Sequence, residues 1–532
     1  MSAPALQCDV AIVGLGPTGA VLANLLGQYG WSVIGVERDE DIYYAPKAVH
    51  FDDEIMRIFQ FAGLAEDLAR VCEPFRDMAF LLKAGGPPAL ASKVGSQGAP
   101  YGWAGAWWFH QPTLERHLRA GFSRFANVQA IYGRAVTRIL QDEGGATVEI
   151  EDQDGANKTS IRAKYVIGCD GGRSTVRREA RIALESADFD EPWVVVDVKS
   201  LTGGKDPALP AHHYQLCDPA QPVTFVPMTG PYYEWQFMVT NGMSEAEATD
   251  PAYVRSKLRA FVPQGQVEII RIAYYKFHAL WAKTWRNGRI LLAGDSAHQM
   301  PPFLGQGMCS GVRDAMSLAW RLDLVLAGRS DARVLQHYED ERAAHVRHII
   351  EGAMFLGRVI QTRSRAVAAI RNLFAFFLPS RSQTLARVFM ELANRKRPIE
   401  CGFIGRNAPK VAGTLLPQPR VRTPDGAVLL DDVLGRRAVI LVPAVGQAKV
   451  AAMIEQLRLD LAVIGFDVGF RDGVVGDESG TLDAWFSEAR MDFAVIRPDR
   501  VVFDAGRMAD LEAVLRAYAE DVFGAAELDV AA

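Results

Sequence analysis

Apolar and polar positions change period several times along the chain, and each change marks an element. Cys8 to Val13 is a short apolar, β-branched run that reads as a buried strand. It meets Gly14-Leu-Gly-Pro-Thr-Gly19, after which Ala20 to Tyr29 has helical composition and Gly30 ends the helix. Trp31 to Val36 makes a second strand finishing at Glu37-Arg38, so the opening segment predicts a βαβ unit. Asp52 to Leu68 predicts a helix with Ile55, Ile58, Phe59 and Phe61 on its apolar face. Gly85 to Gly105 is rich in Gly, Pro and Ser and predicts loops and short strands.

Farther on, Ala146 to Ile150 and Ser160 to Ile167 are strand-like, and the second leads into Gly168-Cys-Asp-Gly-Gly172. From about Trp193 to His278, β-rich runs such as Thr224 to Val226 and Trp235 to Val239 alternate with turn residues, which predicts an antiparallel sheet inserted into the first domain. Arg289 to Ala293 returns to a buried-strand pattern, followed by a Gly/Pro-rich loop, a helix from about Ser310 to Ala327, and a helical stretch through Tyr338 to Val359. Ala366 to Leu378, Phe-rich and flanked by Arg365 and Arg381, is expected to be a core or interface helix rather than a membrane-surface one. Pro398 and the Pro-rich segment Asn407 to Gly426 mark a boundary before a C-terminal unit with strands at Ala438 to Val442 and Val501 to Phe503 and a helix near Met508 to Tyr518. The expected division is 1–185 and 281–400 for one interrupted domain, 186–280 for the inserted sheet and 401–532 for the C-terminal unit.

Composition narrows the class. The chain has 532 residues, 49% hydrophobic and 23% charged, the balance of a globular protein long enough to bury a cofactor. A net charge of -5 gives no electrostatic footprint for nucleic acid or an anionic membrane, so partners are expected to be small molecules, with a homodimer left open. Six scattered cysteines include no C-x-x-C pair and no metal-ligand spacing, which fits a reducing cytoplasm and no bound metal. The opening residues have neither a basic nor an apolar block, so they do not read as a signal peptide, and no apolar run reaches the roughly 20 residues needed to span a bilayer.

Chemistry enters with the glycines. Gly14-x-Gly16-x-x-Gly19, placed between strand and helix, allows a tight turn and lets backbone N–H groups approach a pyrophosphate at a helix N-terminus. Glu37, at the end of the next strand, is placed to accept hydrogen bonds from a ribose. This establishes a dinucleotide without choosing between FAD and NAD, and the absence of a second such motif predicts no separate nicotinamide fold.

Two further motifs, Gly168-Cys-Asp170-Gly-Gly-Arg-Ser-Thr-Val-Arg177 and Gly294-Asp295-Ser-Ala-His298, both follow predicted buried strands. They resemble the Asp-Gly and Gly-Asp signatures of the class A flavoprotein aromatic hydroxylases, the superfamily of para-hydroxybenzoate hydroxylase. Ala48-Val-His-Phe-Asp-Asp-Glu54, Phe109-His-Gln-Pro112, Phe189-Asp-Glu-Pro-Trp193, Cys217-Asp-Pro219, Phe277-His-Ala279 and His298-Gln-Met-Pro-Pro-Phe-Leu-Gly-Gln-Gly-Met-Cys309 are similar to the 3-(3-hydroxyphenyl)propionate hydroxylase branch. The resemblance covers about Cys8 to Ile360. That branch usually carries Arg at the place of Lys47 and Asn at that of Ser317; Lys keeps the charge and loses the bidentate fork.

The resemblance implies an α/β fold: a Rossmann-like FAD-binding domain, an inserted mixed or antiparallel substrate sheet, and a C-terminal thioredoxin-like domain that here lacks C-x-x-C. It implies FAD held by Gly14, Gly16, Gly19, Glu37, Arg38, Lys47, Gln111, Asp170 and Asp295, with Pro302, Gly305, Gln306, Gly307 and Met308 lining the flavin. NADPH or NADH would reduce FAD, and O2 would supply one oxygen atom, through a flavin hydroperoxide, to a small phenol. The best-matched substrate is a 3-(3-hydroxyphenyl)propionate-like acid; the alternatives are another phenol or hydroxylated heterocycle, or a flavoenzyme of the same fold with different chemistry.

Attack ortho or para to a phenolate is favoured, so the site needs a base. His50 is the leading candidate, because imidazole titrates near neutral pH and related phenol hydroxylases carry an active-site aspartate in this block. His213, Tyr214, Phe225, Tyr233, Trp235 and Gln236, with Pro302, are candidates for the substrate wall, although alternate strand residues must face a core instead.

Overall fold

The computed structural model describes residues 5–75, 77–93, 100–152, 154–263, 265–382, 384–385, 397–408, 410–471 and 473–523. The opening four residues and part of the Gly85 to Gly105 stretch lie outside these. Among the described residues the chain forms three large sheets and a small three-stranded one.

The dinucleotide sheet is built on Leu6–Val13, which runs parallel to Thr159–Gly168 on one side and Val33–Val36 on the other. Ile290–Leu292 and Val128–Ile131 extend it in parallel, while Arg134–Asp142 and Gly145–Asp152 fold back as an antiparallel hairpin. The helices Pro17–Tyr29 and Gly307–Leu326 pack on one another over this sheet. Nearly continuous burial along their sequences explains why neither shows a clean polar stripe.

The helix expected from Asp52 to Leu68 is instead the strand His50–Asp52, the helix Asp53–Phe61 and the short helix Ala65–Ala69. Asp52 caps the first helix by accepting from the Ile55 N–H at 3.2 Å, and Gly63 breaks the path with φ 68°.

The middle sheet orders its strands as His298–Gln299, Val267–Ala282, Leu184–Ser200, Tyr232–Met238, Val223–Val226, His213–Leu216, Asp77–Leu81 and Pro88–Lys93. It thus draws three strands from outside 186–280. The Asp77–Leu81 strand pairs in parallel with His213–Leu216, which makes the sheet mixed.

The stretch Ala366 to Leu378, expected as a core or interface helix, is helical but only thinly part of the core. It runs through Arg365–Arg371 and a π-helical turn, Asn372–Phe377, with Val367, Ile370, Phe374 and Phe377 exposed and a thin seam of Ala368, Arg371 and Phe376 buried. Among the described residues no helix is long and apolar enough to cross a membrane.

The terminal sheet pairs Val439–Pro443 in parallel with Ala462–Asp467, then adds antiparallel Phe493–Ile496 and Val502–Gly506, with helices Gln447–Gln456, Thr481–Ala489 and Leu511–Phe523 in thioredoxin-like order. Its strands are covered on both faces. Ile440, Val442, Phe493 and Val495 join the core that also contains the first strand, while Val439, Leu441, Ala494 and Ile496 pack on Leu482 and Phe486. Two buried charge clusters fix it in place. Glu341 binds both Arg321 and Arg497, and Arg57 forms a bidentate pair with Asp431 at 2.6 and 2.7 Å.

Candidate active site

The glycine loop divides its work. A Cβ on Gly14 would run into the Cys169 carbonyl and one on Gly19 into the Gly14 carbonyl, so both are glycine to let segments approach. Gly16 has open space where a Cβ would stand, which leaves the loop accessible from outside. Glu37 accepts the Leu15 N–H at 2.8 Å and lies 3.9 Å from Arg119, so one oxygen already braces the loop. Arg38 is exposed beside it and 3.5 Å from Asp39.

The Asp-Gly segment is braced from within. Asp170 accepts from Ser174 Oγ, Thr175 N–H and Val176 N–H, so its carboxylate caps the helix Thr175–Glu179 and shapes the loop from within. Gln111 is likewise occupied: its carbonyl accepts both the Lys47 and Ala48 N–H groups at 2.7 Å, and its amide donates to Glu115. It acts on the loop ahead of His50.

Asp295 behaves differently. Its side chain is exposed although protein surrounds it closely. Enclosure pushes its carboxyl above the usual range, and His298 and Lys47 oppose that rise. After it, Pro302–Leu304 forms a 3₁₀ turn and Gly305 takes a left-handed conformation, φ 63°, before the helix starting at Gly307. The Gln306 side chain is turned away, bound to Asp52 and Arg313. Met308 is half-buried beside the main core.

His50 faces this turn. An added Cβ at Gly305 would stand 2.9 Å from His50 Nδ1, so the imidazole abuts the loop directly. Strand pairing sets its position, with His50 opposite Trp108 and the strand held by Arg313, which binds Asp52 and Glu54. The preceding loop is clamped by Gln111 and, from the middle sheet, by Arg271 donating to the Pro46 carbonyl at 2.6 Å. The His50 ring meets Phe75 and Trp108 edge-on at 5.6 Å, and His213 meets the same two rings at 5.7 and 5.5 Å.

The middle sheet sorts the remaining wall candidates by parity. His213, Gln215, Thr224, Glu234, Gln236, Asp197 and Trp193 lie on the face toward His50 and Phe303. Tyr214, Phe225, Tyr233 and Trp235 lie on the opposite face, packed with Val254 and Leu258 of the helix Pro251–Leu258. These four are corrected from substrate wall to core: successive strand residues point to opposite sides, and this sheet buries both.

The chain agrees with known proteins in this architecture. The family model described as "FAD binding domain" matches residues 7–353, and one described as "HcaD C-terminal domain" matches 413–521. A probable NADH-specific resorcinol 4-hydroxylase from Rhodococcus jostii is 35% identical, covering 94% of this chain and 92% of that one. A 3-(3-hydroxy-phenyl)propionate/3-hydroxycinnamic acid hydroxylase from Mycolicibacterium smegmatis is 34% identical, covering 93% and 90%. The chain is an FAD-dependent aromatic hydroxylase. Its fold is shared by the flavin-dependent monooxygenase PieE, solved with FAD and substrate (TM-score 0.82, 22% identity, 98% and 99% coverage), and by aklavinone-11 hydroxylase (0.77, 22%, 98% and 99%).

The hydroxylase thus takes FAD, a reduced nicotinamide and O2, and its residues fit that cofactor. The open side of Gly16 and the exposed Asp295 carboxylate are available to it, while the braced loops are already shaped. Sequence reading missed the struts. Asp314 accepts from His298 Nε2 at 2.7 Å, Arg342 Nε at 2.8 Å and the Gly294 N–H at 2.9 Å, and so fixes the turn that presents Asp295. Arg313 performs the same service for His50. A signal was present: Arg313, Asp314 and Arg321 interrupt a helix otherwise buried nearly throughout, and buried charges need partners.

Proposed function

We propose that the hydroxylase acts on a small phenol bound between the Pro302 to Met308 turn and the near face of the middle sheet, with His50 accepting the phenolic proton. The observation that carries this is the placement of His50: its imidazole lies against Gly305 on one side and faces the Phe75–Trp108 rings, shared with His213, on the other. A proton acceptor there meets a ring hydroxyl, and the two aromatic side chains orient the ring and exclude water.

Gly14, Gly16, Gly19, Glu37, Lys47 and Asp295 would hold FAD, with Pro302, Gly305, Gly307, Met308 and the Gln306 backbone along the flavin. When bound, FAD supplies the electron transfer and oxygen activation. The chain supplies position, dryness and proton acceptance. Named relatives act on resorcinol and on 3-(3-hydroxyphenyl)propionate, which supports a phenol of that size.

His50→Ala should retain FAD while substrate-stimulated hydroxylation falls by roughly 10²–10⁴-fold, the scale for a lost general base, with partial recovery at higher pH as solvent forms the phenolate. Unchanged rate and coupling at neutral pH would make His50 structural.

A further inference from the structure

Strand register arranges the near face of the middle sheet in rows. One row runs Arg271, Asp197, Glu234, with each residue directly opposite the next. The following row is Ala273, Val195, Gln236, Thr224 and Gln215. Arg271 spends its donors inside the protein: Nε on Asp197, Nη1 on the Tyr275 hydroxyl and Nη2 on the Pro46 carbonyl. Asp197 and Glu234 repel if both ionise, so the pair keeps a proton and Arg271 balances the remaining charge. Lys47, at the cofactor loop, lies over the Tyr43 ring and is drawn to the Asp295 charge.

The rest of this face is zipped by neutral groups. Gln236 donates to Glu234, Thr224 to Gln215 at 2.6 Å, and the Gln215 amide meets His213 Nε2 at 3.3 Å. His213 is buried, and its Nδ1 has no hydrogen-bond partner among the described residues. Among the described residues of these rows the one cation, Arg271, is already balanced by Asp197, so a carboxylate pressed against this surface would lose its hydration without gaining net positive charge, whereas a hydroxyl would satisfy the orphan nitrogen.

Resting on the reading that the phenol lies on this face, we infer that the enzyme selects uncharged phenols bearing a second uncharged polar group, taken by His213, and rejects phenols bearing a carboxylate. Burial pushes Glu234 up to about 8 and His213 down to about 4, so both are neutral at pH 7 and the row carries no net charge to attract an acid.

The test uses the full-length, flavin-loaded enzyme. Binding is read from perturbation of the flavin spectrum, and turnover from stimulated NADH oxidation, with resorcinol, phenol, 3-(3-hydroxyphenyl)propionate and 3-hydroxybenzoate as probes. Resorcinol should bind more tightly than either acid by at least roughly tenfold, the factor for about 1.4 kcal/mol. His213→Ala should narrow the preference for resorcinol over phenol and leave the discrimination against acids intact. An acid that binds as tightly as resorcinol in the wild-type enzyme overturns the inference and leaves the hydroxylase reading standing. If none of the four perturbs the flavin or stimulates oxidation, the placement of a phenol on this face fails, and the inference fails with it.

Discussion

Asp314 offers a direct perturbation of the turn that carries Asp295 while leaving Asp295 itself in place. Burial alone would raise its carboxyl, but His298 and Arg342 override that and hold it at about 2, against an ordinary 3.8. That difference corresponds to about 2–3 kcal/mol favouring the folded state at neutral pH. Because the folded value lies below the unfolded one, the contribution is complete above about pH 4 and is lost as pH falls toward 2. Asp314→Asn removes the charge and leaves one acceptor oxygen for three donors, His298, Arg342 and the Gly294 N–H. Arg342 would then be a buried cation with a weakened partner, and losing one member of such a pair costs about 3–5 kcal/mol. The expected outcome is a lower denaturant midpoint at pH 7, a gap from wild type that narrows between pH 4 and pH 3, and loss of flavin on gel filtration as the Gly294 turn loosens. Wild-type stability together with full flavin content at pH 7 would refute the view that Asp314 braces the turn before Asp295.

Other outcomes follow from the same geometry. Glu37→Ala should reduce flavin retention, a charged acceptor being worth roughly 1.5–3 kcal/mol; wild-type flavin content in the purified variant would count against a ribose contact. Gly305→Ala should keep the fold but slow hydroxylation, because a left-handed non-Gly residue costs about 1–2 kcal/mol and the new methyl would press on His50; flavin content and single-turnover rate separate the two effects. Arg57→Ala should destabilise by about 1.5–3 kcal/mol, the scale of lost hydrogen bonds to a charged group, because buried Asp431 keeps, among the described residues, only Arg500 at 3.2 Å; the loss should be seen as faster hydrogen exchange in the terminal sheet than in the dinucleotide sheet.

Features carried by neighbouring residues are legible in the amino-acid sequence alone. The strand, glycine turn and helix from Cys8 to Tyr29 are contiguous, and each constrains the next locally. The Gly-Asp turn is readable for the same reason, aided by family resemblance. The faces of the middle strands are not. In Tyr232 to Met238, aromatics at 233, 235 and 237 alternate with Glu234, Gln236 and Met238, and an aromatic substrate makes the aromatic set attractive as its wall. With both faces buried, hydrophobicity cannot assign parity, and the polar set turns toward His50. Arg271 with Pro46, and Arg57 with Asp431, join residues 225 and 374 positions apart. No local pattern announces such pairs. A single helix from Asp52 to Leu68 fails in its middle, where Gly63 separates the helices on either side of it, while at its start Asp52 closes a strand and caps the first helix.

The shared core beneath the terminal sheet bears on how such enzymes can be recombined. Phe403 packs on Trp320, and Arg497 completes the Glu341 cluster with Arg321. A chimera that took this appendage from a relative would have to bring matching partners on three helices of the recipient, those carrying Arg57, Arg321 and Glu341, or leave buried charges unpaired. Exchange at the Pro-rich linker alone would therefore yield poorly folding proteins, and inheritance should keep the appendage and these helix faces together as one unit of variation.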